Sequence, residues 1–308
     1  MEQKGIRDGF GNAIVKLGEK NPKIVVLAAG VGDSTQAFKF KEKFPDRYIE
    51  VGIAEQNMVG IAAGLALGGK IPFATSFATF LPGRCFDQIR QSVCYANLNV
   101  KLVATHAGLT VGADGATHQM MEDITLMRSL PNMAVIVPCD AVEAEKAVIA
   151  AAEMTGPVFI RLGRDKQPVI AQDKGFEIGK SILMKEGNDV TVIATGIMVY
   201  YALMAAEELK KEGISARVIN LHTIKPIDKD AIIKAAKETK GIVTVEEHQI
   251  YGGLGSAVAE VLSQEYPAKL KIIGMPDKFG ESGKPDELLK KYGLTEKEIF
   301  EAAKKILK

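Results

Sequence analysis

The sequence is 308 residues long, 47% hydrophobic and 25% charged, enough for two domains that each bury a core. Its 39 Lys and Arg against 38 Asp and Glu leave a formal charge of +1, which excludes binding to nucleic acid or an acidic membrane surface on bulk electrostatics. No apolar run reaches the roughly 18 residues of a spanning helix, MEQKGIRDGFG lacks a signal-peptide segment, and Cys85, Cys94 and Cys139 show neither a CxxC pair nor a metal-ligand spacing, so a reduced cytoplasmic protein is expected.

In chain order, residues Gly5 to Leu17 place Ile6, Phe10, Ala13, Ile14 and Leu17 on one helical stripe. IVVLAAG, Ile24 to Gly30, is a continuous apolar run of strand length, and VGDSTQAFKF after it opens a helix at Ser34 or Thr35. A short strand ends at Gly52, and a long Ala/Gly/Leu-rich helix follows. IPFATSF and VKLVATHAG read as strands, with helical spacing between them from Gly83 to Tyr95. AVIVPCD is a strand, Ala141 to Met154 a helix and PVFIRLG a strand. This alternation predicts an α/β domain with a mainly parallel sheet. From Gln167 to Asn188 the chain is polar and aperiodic, which reads as a linker with a short hairpin. A second alternation follows: DVTVIATG, a helix over Val199 to Glu212, SARVINL, a helix over Asp228 to Glu238, GIVTVEE, a helix over Ser256 to Ser263, LKIIGM, and a closing helix from Glu296. The expected architecture is two doubly wound α/β domains, residues 1–168 and a smaller 188–308, joined by a linker at 169–187.

Glu55 is the odd residue of the long helix. It lies in the first turn, where the helix dipole suits an acid. The turns beyond it, with Met58, Val59, Ile61, Ala62, Ala63 and Leu65, are apolar nearly all round, so the helix start reads as buried, and no basic residue lies between Arg47 and Lys70. Glu55 is either an exposed capping acid or a buried carboxylate that a ligand must satisfy.

Three glycine stretches invite comparison with phosphate loops. GVGDST lacks the third small residue of a dinucleotide fingerprint, and GGLGS follows Glu246 and Glu247, which would repel a phosphate; tight turns explain both better. THAGLTVGADGATHQ, Thr105 to Gln119, is different. It brings His106, Asp114 and His118 onto one loop after a buried strand, where open α/β sheets place ligands. Zinc is the rival reading, but the separations of eight and four residues suit it only if the loop folds back, and no Cys supports it. Phe73, Phe77 and Phe80 cluster in IPFATSFATF, as core or as a face for a flat heterocycle.

GIAEQNM, FATSFATF and THAGLTVGADGATHQ, followed by SLPNMAVIVPCD and FIRLGR, resemble the pyrimidine-binding half of transketolase and its relative 1-deoxyxylulose-5-phosphate synthase; DVTVIATG and EEHQIYGGLGSAVAEVL extend the resemblance to the family's C-terminal domain. The resemblance implies thiamine diphosphate as cofactor. Glu55 would meet N1′ of the aminopyrimidine, favouring the imino tautomer that takes the thiazolium C2 proton, and Phe77 and Phe80 would stack on the ring. It implies His106, Asp114 and His118 as catalytic residues near the substrate. It places His106, Ser34 or its neighbour Thr35, Arg164 and Arg7 at a sugar phosphate. LPGRCFDQ holds one residue more than the family pattern, which leaves a third stacking aromatic unassigned. His222 and His248 read as structural.

One half of such a site is missing. The family binds Mg²⁺ and the diphosphate through GDG with a paired Asn, and neither Gly32-Asp33-Ser34 with Asn57 nor GADG matches it, so no metal ligand is expected here. The resemblance therefore implies the C-terminal subunit of a split, two-chain transketolase. An N-terminal subunit would supply Mg²⁺ and the diphosphate-binding domain to a homodimer of this chain or a heterotetramer, and the substrates would be sugar phosphates. Half of a deoxyxylulose phosphate synthase, the β subunit of a 2-oxoacid dehydrogenase E1 and a non-catalytic regulatory subunit are the alternatives.

Overall fold

The apolar runs become strands of two largely parallel sheets because helices cover them on both faces. A computed structural model describes residues 2–308. Its strands are β1 (Gln3–Gly5), β2 (Ile24–Ala28), β3 (Tyr48–Glu50), β4 (Ile71–Phe77), β5 (Lys101–Thr105), β6 (Ala134–Ile136), β7 (Val158–Arg161), β8 (Lys166–Pro168), β9 (Ile182–Lys185), β10 (Val190–Ala194), β11 (Ala216–Asn220), β12 (Thr223–Lys225), β13 (Ile242–Gln249) and β14 (Leu270–Met275). The first sheet has the order β12-β6-β7-β5-β4-β2-β3 and the second β14-β13-β10-β11-β9. Every residue of β2 and of β10 is buried, which is why IVVLA and VTVIA read as unbroken apolar runs.

Helices start where the sequence offers a cap. Asp140 accepts the Glu143 N–H at 2.8 Å to open Ala141–Glu153, and Asp228 accepts the Ala231 N–H at 3.2 Å to open Lys229–Glu238. Asp140 also receives the N–H groups of Ile170 and Ala171, both at 2.7 Å, so one carboxylate caps a helix and fixes the chain leaving the first sheet.

Several expectations are corrected. The linker holds no hairpin: β8 pairs antiparallel with β1, and β9 pairs antiparallel with β11 as an edge of the second sheet. The first sheet also takes a strand from the second half, β12, which adds antiparallel to β6. After GVGDST the helix starts only at Phe38. The stretch Gly83 to Tyr95 is broken into a turn at Leu81–Arg84, another at Phe86–Gln88 and a π-turn at Ile89–Cys94. The break at Cys85 leaves Arg84 at the end of a single turn. Helices at Asp123–Ser129 and Pro285–Tyr292 had not been expected. The second carries the usual punctuation, Pro at its first position and a left-handed Gly293 just past its end. The helix expected over Ser256 to Ser263 runs Leu254–Glu265.

The three cysteines are buried and free. Among the described residues, no helix is long and apolar enough to cross a membrane.

Candidate active site

The ends of three parallel strands on one edge of the first sheet build the site. β3 leads through Gly52 to Glu55, β4 ends at Phe77, and β5 ends at Thr105, directly before His106. Because β2, β4 and β5 run parallel, the segments leaving them emerge on one edge.

Glu55 opens the helix Glu55–Leu67 and is buried, 4% exposed. Its partner is not absent, as the sequence suggested, but lies beyond Lys70, at Arg84. Arg84 Nη1 donates to Glu55 Oε2 at 3.1 Å, and the same guanidinium lies 4.0 Å from the centroid of Phe80. Gln56 Nε2 donates to the Arg84 carbonyl at 2.9 Å, tying the two segments together. The other oxygen, Oε1, has only the Ser76 hydroxyl at 3.5 Å, the outer limit of a hydrogen bond, so acceptor capacity remains.

The aromatic rings form a continuous run. Phe77 and Phe80 are stacked with centroids 5.7 Å apart and planes 20° apart. Phe77 also stacks on His106 at 3.8 Å, and His118 meets Phe80 edge-on at 5.4 Å. Phe73, by contrast, is fully buried core.

His106 sits in a left-handed conformation, φ 56°, which a non-glycine residue keeps only where its surroundings insist on it. Its Nδ1 is 2.9 Å from the Thr105 hydroxyl and its Nε2 is 3.4 Å from Arg7 Nη1. Arg can only donate, so Nε2 is the acceptor and the ring proton resides on Nδ1. Burial above all, then the charges of Arg7, Arg164 and His118, push its pKa down to about 3. His106 is therefore a neutral imidazole at working pH. Its ring-proton NMR shift is expected to stay flat between about pH 5 and 8, and a midpoint near the unperturbed value of about 6.5 would contradict this environment.

Around this histidine lie the expected anion-binding residues. Arg7 Nη1 donates to the Ser34 carbonyl at 2.7 Å. Arg164 Nη1 donates to the Val111 carbonyl at 2.8 Å and pairs with Asp114 at 3.3 Å. The structure thus brings Arg7, Ser34, His106, Arg164 and Asp114 together, although Ser34 contributes its carbonyl to the contact with Arg7. Thr35 is no substitute for it, being fully buried with its hydroxyl turned to the Gly32 carbonyl at 3.2 Å.

The remaining histidines stay structural. His222 stacks on Phe176 at 4.2 Å, and His248 is buried with Nδ1 2.8 Å from the Gln249 carbonyl. The GGLGS helix start is no phosphate site: Glu246 itself accepts the N–H groups of Leu254 and Gly255, at 2.6 and 2.8 Å. A Cβ on Gly253 would lie 2.0 Å from that carboxylate. Among the described residues no cluster of three or more His, Cys, Asp or Glu is arranged to hold a metal ion. For the pyrimidine end of thiamine diphosphate the residues do fit: a buried carboxylate with one oxygen nearly free stands beside two stacked phenylalanines.

The sequence reading missed Arg84, and a signal for it existed. It lies four residues after Phe80, the spacing that places two side chains on one helical face.

Residues 2–169 match the family described as "Transketolase, pyrimidine binding domain", and residues 179–299 match "Transketolase, C-terminal domain". A protein of Methanocaldococcus jannaschii assigned as a transketolase C-terminal section is 50% identical, covering 99% of this chain and 96% of its own. The 6-deoxy-6-sulfo-D-fructose transketolase subunit of Clostridium sp. (strain MSTE9) is 43% identical over 99% of this chain and 95% of its own. Among solved structures, one titled "Split gene transketolase, inactive beta4 tetramer" superposes with a TM-score of 0.93 at 51% identity, over 98% of both chains.

Proposed function

The chain belongs to the transketolase family, and we propose that it is the C-terminal subunit of a split transketolase, moving a two-carbon ketol unit between sugar phosphates together with a second, N-terminal subunit. Residues 1–168 would be its pyrimidine-binding unit and 188–308 its C-terminal unit. The observation that carries the reading is the convergence of Glu55, Phe77 and Phe80 with Arg7, His106 and Arg164 on one sheet edge.

Thiamine diphosphate, when bound, supplies an electron sink for breaking a carbon–carbon bond next to a carbonyl. This chain would hold only its pyrimidine end. Glu55 would share a proton with a pyrimidine ring nitrogen through Oε1, while Arg84 keeps Oε2 satisfied. Phe77 and Phe80 offer the ring a flat apolar wall. His118 meets Phe80 edge-on, Asp114 would bond sugar hydroxyls, and neutral His106 would face the terminal anion. Arg7 and Arg164 provide guanidinium forks for the terminal anion. Mg²⁺ and the diphosphate are assigned to the partner subunit. The buried free thiols fit a reducing, cytoplasmic setting.

The Clostridium relative is named for a sulfosugar, so we read the Arg7–Arg164 pair as selecting a terminal anion rather than phosphate alone. The test is a donor panel given to the chain assembled with its partner: xylulose 5-phosphate, a 6-sulfo ketose, and pyruvate with glyceraldehyde 3-phosphate. Ketol transfer from an anionic ketose is expected, and Arg164→Met should raise its KM by about 10- to 100-fold with kcat little changed, the loss of one charge-assisted pair. Use of pyruvate in place of the ketose would move the protein to deoxyxylulose phosphate synthesis.

A further inference from the structure

The histidine loop is held from the far half of the chain. Its ends are fixed within the first half, by Ala107 N–H to the Leu162 carbonyl at 3.1 Å and Gly108 N–H to the Met120 carbonyl at 3.0 Å. Between those ends the backbone takes left-handed conformations at Gly108, Gly112 and Gly115 besides His106. The glycines take such a path freely and leave the loop without intrinsic stiffness, whereas His106 keeps it only where its surroundings over-determine it.

The glycine-rich part of the loop is held by β13 and the segment before the helix Pro285–Tyr292. Glu247, in β13 and 4% exposed, accepts the Thr110 N–H through Oε1 at 2.6 Å. The carboxylate presses so close that a Cβ on Gly108, φ 88°, would lie 2.3 Å from Oε2. Arg161 fixes this part of the strand by donating to the Glu247 carbonyl at 2.9 Å while paired with buried Asp123 at 2.8 Å. Gln119 forms a second clamp. Its Nε2 reaches the Leu109 and Gly112 carbonyls at 3.1 and 3.3 Å and the Glu281 carbonyl of the second half at 2.9 Å. Glu281 is itself held by the Tyr292 hydroxyl at 2.8 Å and by Lys291 at 2.6 Å.

We propose that Glu247 is a positioning residue for the active site: from the C-terminal half, its carboxylate holds the Thr110 N–H and so fixes the loop that carries His106, Asp114 and His118. Gln119 does the same from inside the loop. The effect on turnover rests on the transketolase reading, whereas the effect on loop order does not. None of the substrate-facing atoms belongs to Glu247, so its removal acts through the loop alone. Gln at 247 keeps a carbonyl oxygen for the Thr110 N–H, and Ala does not.

Hydrogen exchange on the full chain tests this directly, with Glu247→Ala, Glu247→Gln and Gln119→Met compared with the wild type. The peptide 106–119 should exchange about 10-fold faster in Glu247→Ala and Gln119→Met, as expected for losing a buried bond to a strong acceptor, with Glu247→Gln near the wild-type rate. Peptides from β10 and β11 should not change. In the assembled enzyme Glu247→Ala should raise the KM for the anionic ketose, and Glu247→Gln should restore it. Unchanged loop exchange in Glu247→Ala, or faster exchange along the whole chain in Glu247→Ala and Glu247→Gln alike, would overturn the assignment. A wild-type assembly without ketol transfer would instead remove the functional reading and leave the exchange result standing.

Discussion

Glu55→Gln is expected to lower kcat of the assembled enzyme by about 100- to 10,000-fold, the range over which a positioned acid or base contributes. The substitution is nearly isosteric, and Gln can still accept the Arg84 N–H through its carbonyl oxygen. Folding and assembly should therefore survive. What is lost is a group able to exchange a proton with a ring nitrogen, an interaction needed for cofactor activation rather than for holding the substrate. The loss should appear in kcat and kcat/KM together, with little change in substrate KM. A fold-change of 100 corresponds to about 2.7 kcal/mol of transition-state stabilisation, well above the effect of losing one weak contact such as that from Ser76. Wild-type kcat in Glu55→Gln would remove Glu55 from the chemistry.

Arg84 sharpens this picture. A guanidinium that both donates to Glu55 and lies on Phe80 makes the two kinds of contact, hydrogen bond and ring stacking, that the residues offer a pyrimidine. The carboxylate is therefore buried without being orphaned in the free chain. With Arg84 half-exposed and Glu55 buried, the pair adds little net stability, but removing Arg84 would leave the buried carboxylate uncompensated.

Much of the fold was legible because parallel strands covered on both faces leave continuous apolar runs, as IVVLA and VTVIA do. The histidine loop stood out because two histidines, an aspartate and three glycines lie within fifteen residues of sequence. The contacts that organise the site were not, and the reason is separation along the chain. Arg84 reaches Glu55 across 29 positions, and Glu247 reaches Thr110 across 137. Neither pairing leaves a periodicity, and the EEH sequence looks the same whether its acids repel a phosphate or cap a helix and clamp a loop. β12 escaped for a related reason: TIK is three residues long, and only its antiparallel register against β6 makes it a strand of the first sheet. The helix Pro285–Tyr292 was readable from Pro285 and Gly293, but its polar surroundings obscured it.

The proposed division of the active site between two chains rests on what each residue set can do. Glu55, Phe77 and Phe80 suit the pyrimidine, and Arg7, His106 and Arg164 suit the terminal anion of the substrate. The resemblance assigns the diphosphate and its metal to a GDG motif with a paired Asn, which neither Gly32-Asp33-Ser34 nor GADG matches in this sequence. On the proposed reading, self-assembly of this chain does not supply it, since every copy carries the same half. The β4 tetramer of the similar split-gene protein is inactive by its title, as such an assembly should be.

The most direct measurement is ketol transfer from xylulose 5-phosphate by the purified chain, with thiamine diphosphate and Mg²⁺, before and after adding the subunit that carries the diphosphate-binding domain. The account predicts no transfer by the chain alone at any oligomeric state, and turnover that rises with added partner to a fixed stoichiometry. Turnover by the chain alone would contradict it.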